Sequence, residues 1–363
     1  MISFSLVDGF SRGGQTLLFI KELSMDNEKI TVSVIIPCRN EVLYIEKCLE
    51  NIFSFDPPSG GFEVLVIDGM SDDGTLEILG KLKERYPDLT ILSNPKRTVP
   101  HAMNTGILHA RGEYIVRADV RCVHPRNYLT SLIGLCESTV ADNVGGILDA
   151  VGNTYIQKSI ATAYRSPIAV GGALRRRENF KGESDDVYGG CFRRERLLSL
   201  GMYDESMTRN QDDELSFRLR KAGGKIIQSG AIRIQYFPRS RFGQLFKQFL
   251  QYGYWKIPVI RKHPAQASWR HFAPALLVLG FIGLVAASFF FSAAVLALSF
   301  YGGLYLFSLF FESLRITWKD RVGLLPGVIT AIGCMHLGFG IGFILGLSQL
   351  WNHRNSWFET LSR

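Results

Sequence analysis

The sequence predicts an α/β domain, a mostly parallel sheet with flanking helices, followed by a C-terminal α-helical transmembrane region. Three observations carry that expectation. Short apolar runs closed by polar or turn residues alternate with stretches of helical spacing from residue 31 to about residue 137. Two apolar blocks rich in glycine and aromatics fill residues 271–314 and 322–350. Acidic residues vanish between Glu214 and Glu312 while Arg and Lys continue to Arg270, so the chain changes character in that interval.

TVSVIIP, residues 31–37, is a short apolar run closed by proline and reads as a buried strand. LYIEKCLENIF has helical spacing. FEVLVID repeats the strand pattern, and the turn at 71–74 opens a second helix that runs to Glu84. LTILSN, a helix over 99–110 and EYIVRAD extend the alternation. In such sheets ligands bind beyond the carboxyl ends of the strands. The groups Arg39-Asn40-Glu41, Asp68 and Asp119 all fall there. After Asp119 the pattern loosens into a helix near 128–137, the strand-like NVGGIL, a helix or loop over 155–177, VYGGCF, the helix QDDELSFRLRKAGG and two strands, KIIQ and IRIQYF.

The first apolar block is about twice the roughly 20 residues a spanning helix needs, so it divides in two near Phe291 and Ser292. The second block supplies a third helix. Arg315, Lys319 and Arg321 put the intervening loop in the cytoplasm, consistent with a cytoplasmic amino-terminal domain and a multi-pass protein of the inner (plasma) membrane. Arg354 and Arg363 in the tail point the other way, which leaves a re-entrant third segment or a fourth crossing as alternatives. Residues 241–264 alternate cations with aromatics and aliphatics, as an interfacial helix does. Nucleic-acid binders use the same residue types, but the position beside a membrane block favours lipid.

The expected domains are a leader over 1–24, a catalytic domain over 25–240, a basic amphipathic interfacial region over 241–270, a membrane region over 271–350 and a tail over 351–363. The opening MISFSLVDGFSRGG lacks the basic start and long apolar core of a signal peptide. Six cysteines without a CxxC pair read as reduced thiols. The formal charge of +8 calls for anionic partners.

Two acids carry the chemistry of the first half. Asp68 can accept hydrogen bonds from a nucleobase or ribose, although helix capping by Ser71 or Asp72 is the simpler role for this turn. Asp119 stands alone among apolar neighbours, where a carboxylate is costly to bury unpaired. A salt bridge to Arg117 or Arg121 would satisfy it. So would Mg²⁺ or Mn²⁺ bridging a diphosphate, since a hard cation takes one or two carboxylates and fills its shell with phosphate and water.

VSVIIPCRNE, VLVIDGMSDDGT, NPKRTVPHAMNTGI, ARGEYIVRADVR and RNQDDELSFRLRKAGGKI, in that order, resemble the successive motifs of family 2 glycosyltransferases. The resemblance spans residues 31 to about 264 and points to the membrane-bound branch that builds succinoglycan-type exopolysaccharides. It implies a Rossmann-like GT-A fold, a nucleotide-sugar donor (usually a UDP-sugar), Mg²⁺ or Mn²⁺, and inversion at the anomeric carbon. Carried over by position, Pro37, Arg39 and Glu41 belong to the nucleotide-facing first loop. Asp68 matches the uracil-contacting acid, Arg97 and Asn104 line the donor site, and Asp119 is the first acid of the metal motif. The departure is Arg121, which stands where the pattern has a second Asp. Either Asp119 holds the metal alone with the diphosphate, or Arg121 supplies positive charge itself.

In the last motif Gln211 replaces a Glu and Asp212 takes the position of the general base, with Asp213 the competing choice. An ordinary acidic first turn is the plain reading of the same residues. Tyr188 to Glu195 resembles the small-residue loop under the acceptor, with Gly189 and Gly190 allowing close approach. Gln251, Tyr254 and Trp255 are similar to the Gln-x-x-Arg-Trp motif of polymerising relatives, with Tyr254 in the Arg position; an aromatic membrane belt explains them equally. The implied activity is transfer of one hexose from a UDP-sugar to a polyprenyl-diphosphate-linked saccharide in exopolysaccharide or other surface-glycan synthesis. Its partners would be the membrane and other enzymes of a polysaccharide pathway, with no nucleic acid. A polyprenyl-monophosphate transferase and an inactive membrane scaffold are the alternatives.

Overall fold

A computed structural model describes residues 30–171, 180–319 and 321–350. The expected leader and tail lie outside them. The first half alternates as its apolar periodicity requires: β1 (Val32–Cys38), α1 (Ile45–Phe53), β2 (Phe62–Asp68), α2 (Thr75–Arg85), β3 (Leu89–Ser93), α3 (Val99–His109) and β4 (Tyr114–Arg117). Then come β5 (Cys122–Val123), α4 (Tyr128–Thr139), β6 (Asn143–Ala150), α5 (Tyr155–Ala163), α6 (Pro167–Val170), β7 (Lys181–Glu183), β8 (Tyr188–Arg193), α7 (Arg194–Ser199), α8 (Gln211–Lys221) and β9 (Ile226–Tyr236).

One mixed sheet runs β3-β2-β1-β4-β8-β6-β9-β5, with β7 on β9. Strands β3, β2, β1 and β4 are parallel, whereas β8 enters antiparallel to both β4 and β6. The period-two alternation of β1 explains its burial on both faces. Val34 and Ile36 join a core with Leu49 of α1 and Leu132 of α4, while Ile35 joins a second core with Met103 of α3 and Leu215 of α8. KIIQ and IRIQYF, expected as two strands, form the single strand β9, whose register against β6 slips between Gly145 and Ile147. A bulge absorbs the extra residues without ending the strand. The helix or loop expected over 155–177 resolves into α5 and α6, and residues 172–177 lie outside the described set.

After the sheet come α9 (Phe242–Lys262), α10 (Trp269–Ser288), α11 (Ser292–Thr317) and α12 (Leu325–Gly346). The last three lie within three stretches long and apolar enough to cross a membrane. The break between the first two falls at residues 289–291, where the length argument placed it.

Helix α9, expected as an interfacial helix, packs along α12. Gly338, Gly342 and Gly346 recur every four residues along α12 and face the backbone of Phe246, Leu250 and Tyr254, which share that spacing on α9. Gly253 returns the contact against the carbonyl of Phe339. A Cβ at any of these glycines would overlap backbone, so the two helices touch main chain to main chain. Lys256 is buried and turned toward Asp213 of the sheet domain. A third core, made by Ile160 of α5, Leu245 of α9, Leu309 of α11 and Val328 and Ile332 of α12, fastens the sheet domain to the apolar helices.

Candidate active site

Three adjacent parallel strands end side by side. Asp68 closes β2 opposite Cys38 of β1, and Asp119 follows β4 by two residues. Asp68 is buried, and its oxygens accept from the Ser71 hydroxyl at 2.5 Å and the Ser71 amide at 3.0 Å. It therefore builds the turn it belongs to, while each carboxylate oxygen keeps further acceptor capacity. Asn40, at φ 53°, binds the same turn through Ser71 and Asp72. Pro37 is the penultimate residue of the strand before it, and Arg39 covers Gly69.

The departing residue, Arg121, pairs with Glu41. The Arg121 Nε donates to both Glu41 oxygens at 3.0–3.1 Å, and its guanidinium lies 4.7 Å from the Tyr44 ring centre. Arg121 thus pairs with Glu41, not with Asp119. Burial holds the Glu41 carboxyl above its usual range although Arg121 pulls it back.

Asp119 is held by Arg117, through Nε at 2.9 Å and Nη2 at 3.3 Å, and by the Tyr188 hydroxyl at 2.5 Å. The same Arg117 reaches Asp212 through Nη1 at 3.5 Å. One guanidinium, only 12% exposed, therefore joins the acid after β4 to the acid that opens α8. Burial opposes its charge, but Asp119 and Asp212 outweigh that and keep Arg117 cationic, well above its usual range. Burial would likewise raise the Asp119 carboxyl; Arg117 and the Tyr188 hydrogen bond instead hold it below the usual carboxylate range. The phenol of Tyr203 sits against Arg117, raised by burial to stay protonated.

The competing acids of α8 separate cleanly. Asp212 is 43% exposed beside Arg117, whereas Asp213 accepts from Lys256 Nζ at 3.0 Å and is 25% exposed. Gln211 is buried. Arg209 and Arg239 add positive potential next to Asp212 and Glu41. Gly189 and Gly190, at φ 70° and 72°, let β8 pass against the Arg117 carbonyl and Asn143; a Cβ at Gly190 would stand 2.8 Å from Asn143 Oδ1.

Other expected residues fall elsewhere. Asn104 was expected to line the donor site, but it is buried and spends its amide on Tyr203 and Glu205, so it fixes the loop that carries Tyr203. Arg97 is exposed at φ 63° on the turn after β3. Gln251, Tyr254 and Trp255 are buried on α9, with Gly346 of α12 packed on Tyr254. Sequence reasoning missed Tyr203, Arg209, Arg239 and Lys256; it named Arg117 only as a salt-bridge partner of Asp119, which it is, and Tyr188 only within the loop under the acceptor. Arg117 had a signal: in extended chain, residues two apart share a face, and Arg117 stands two before Asp119. Lys256 had none, since its partner is set by how α9 crosses α8.

No group of three or more potential ligands that could hold a metal is found among the described residues. The donor set is one ionised carboxylate, Asp119, which suits a hard cation whose other ligands are diphosphate oxygens and water, and not one caged by protein.

Behind the acids, Glu214 anchors the helix. It is fully buried and binds Arg218, Lys262 at 2.7 Å and His263 at 3.0 Å. Burial would raise its carboxyl, yet these donors hold it below the usual range. Glu214→Gln is expected to cost about 3–5 kcal/mol, because it leaves buried donors unpaired, read as a fall in thermal midpoint of the detergent-solubilised chain. A depressed folded-state value means that the contribution is present above the unfolded carboxylate range and is lost as pH falls through the folded one. The gap between the wild type and the variant should therefore narrow in acid.

The Glycosyl transferase family 2 profile matches residues 33–200. The succinoglycan biosynthesis protein ExoA of Rhizobium meliloti is 32% identical over 268 residues, covering 72% of this chain and 81% of that one. The dolichyl N-acetyl-alpha-D-glucosaminyl phosphate 3-beta-D-2,3-diacetamido-2,3-dideoxy-beta-D-glucuronosyltransferase of Methanococcus voltae is 26% identical over 323 residues, covering 87% and 97%. Among solved structures, the mannosyltransferase PcManGT of Pyrobaculum calidifontis, in complex with GDP-Man and Mn²⁺, superposes with a TM-score of 0.59 at 21% identity over 89% of this chain and 94% of that one, a likeness of fold. The sheet domain has the GT-A fold, and the chain belongs to glycosyl transferase family 2.

Proposed function

We propose that the protein is an inverting glycosyltransferase that moves a hexose from a UDP-sugar to a polyprenyl-diphosphate-linked saccharide at the cytoplasmic face of the plasma membrane. One observation carries the reading: Asp212 is an open carboxylate beside a cation that also binds Asp119, at the carboxyl ends of the parallel strands. Asp212 takes the proton of the acceptor hydroxyl. That oxygen attacks the anomeric carbon as the bond from this carbon to the diphosphate oxygen breaks, and UDP leaves with the bonding pair. Inversion follows from attack opposite the leaving group.

The loop from Pro37 to Glu41 and the turn built by Asp68 receive the nucleotide, and Arg97 at the rim meets the donor from solvent. Asp119 is the protein ligand of Mg²⁺ or Mn²⁺, which when bound neutralises the diphosphate. Arg117, Arg209 and Arg239 add fixed positive charge where the leaving group develops its negative charge. Residues 25–240 act as the catalytic domain, 241–270 as its mount and 271–350 as the membrane anchor.

The test uses the full chain in lipid nanodiscs. UDP release should require a UDP-sugar, a divalent cation and the lipid-linked saccharide together, and a chelator should remove it. Release of UDP unaffected by the chelator would remove the metal from the reading. Transfer to the bare lipid monophosphate, with none to the saccharide, would replace the proposed acceptor.

A further inference from the structure

A second cavity, of about 690 Å³, lies between the sheet domain and the entry to α12. That volume is within the roughly 300–1,000 Å³ of small-molecule sites. Among the described residues its charged lining is Lys158 of α5, Arg165 in the turn after α5, Arg321 of the loop between α11 and α12, and one carboxylate, Asp149, at the end of β6. Lys158 and Arg165 are exposed and have no acidic partner among the described residues. Arg321 gives one donor to Thr162 Oγ1 at 3.2 Å and keeps the rest of its fork. Gly323 and Leu324, also in the lining, lead into α12, so the positive end of that helix dipole adds to the field. The cavity carries a surplus of two positive charges and is built for an anion.

Its position says which anion. Arg321, Gly323 and Leu324 separate two apolar helices, so the cavity stands at the level where the chain enters the bilayer. The other wall leads back to the acids. Val151, in the lining, donates to Tyr236 of β9, and Phe237 donates to Arg121 after a further strand step. Two strand spacings, about 10 Å, thus separate the cavity wall from Arg121. Gln157, next to Lys158, holds the carbonyl of Pro238 beside Arg239. Arg239 thus stands between the cavity wall and Glu41 at the acids' edge.

We infer that this cavity binds the diphosphate of the lipid-linked acceptor, with the polyprenyl tail in the bilayer and the saccharide leading toward Asp212. The inference rests on the glycosyltransferase reading and deepens it by naming where the acceptor is held. Lys158, Arg165 and Arg321 bind the phosphate oxygens through charge-assisted hydrogen bonds.

The experiment titrates the detergent-solubilised full chain with farnesyl diphosphate, at saturating UDP so that the donor site is filled. The wild type should bind it. The Lys158→Gln/Arg165→Gln/Arg321→Gln variant should bind at least ~100-fold more weakly, and Arg165→Lys/Arg321→Lys within about threefold of the wild type. UDP affinity should not change. Unaltered farnesyl diphosphate binding in the triple variant overturns the inference. So does equal competition by inorganic pyrophosphate or by phosphatidylglycerol, which would make the cavity a site for free phosphate or for bulk phospholipid. Absence of UDP binding by the wild type sinks the donor reading instead, and the farnesyl diphosphate titration still decides this one.

Discussion

Asp212→Asn is expected to lower turnover by about 10²–10⁴-fold, the loss typical of a removed general base, with the affinity for the sugar nucleotide nearly unchanged. The amide keeps the shape of the carboxylate and a contact to Arg117, but it cannot take a proton. Asp213→Asn should cost far less turnover, because Asp213 is already paired with Lys256. Initial rates of UDP release at saturating donor and acceptor make the comparison. Equal losses in the two variants, or none at Asp212, would reassign the base.

The second large effect belongs to Arg117. Arg117→Gln removes the one cation shared by Asp119 and Asp212, leaves two carboxylates facing each other and strips charge from the place where the leaving group forms. Turnover should fall by about 10²–10³-fold, the scale of losing one preorganised charge-stabilising donor. The pH profile separates this role from a merely structural one. Arg117 holds Asp119 ionised below the usual carboxylate range, so in its absence the carboxyl is protonated at higher pH. The acidic limb of the profile should move up in Arg117→Gln and return most of the way in Arg117→Lys. A lower rate with an unmoved limb would assign Arg117 to folding alone.

What the sequence revealed follows from the range of the forces involved. Strands β1 to β4 and their helices were legible to within a residue or two, since the alternation of Val34, Ile35 and Ile36 encodes two buried faces locally. The convergence of Asp68 and Asp119 was legible because parallel strands put their carboxyl ends on one edge. The insertion of β8 between β4 and β6 was not, because antiparallel pairing of distant segments leaves no periodic trace. The same limit hid the bond between Arg117 and Asp212. It also hid the partner of Lys256, which lies in the segment expected as an interfacial helix. The partners of Asn104 were illegible too, because a motif fixes position along the chain and not the direction of an amide.

The main-chain contact between α9 and α12 has a geometric outcome. A helix rooted in the bilayer and a helix pinned to the acids through Lys256 and Asp213 are interlocked at four glycines, where no added carbon fits. The acids at the sheet edge are thereby held at a set distance from the apolar helices, like a blade on a fixed arm.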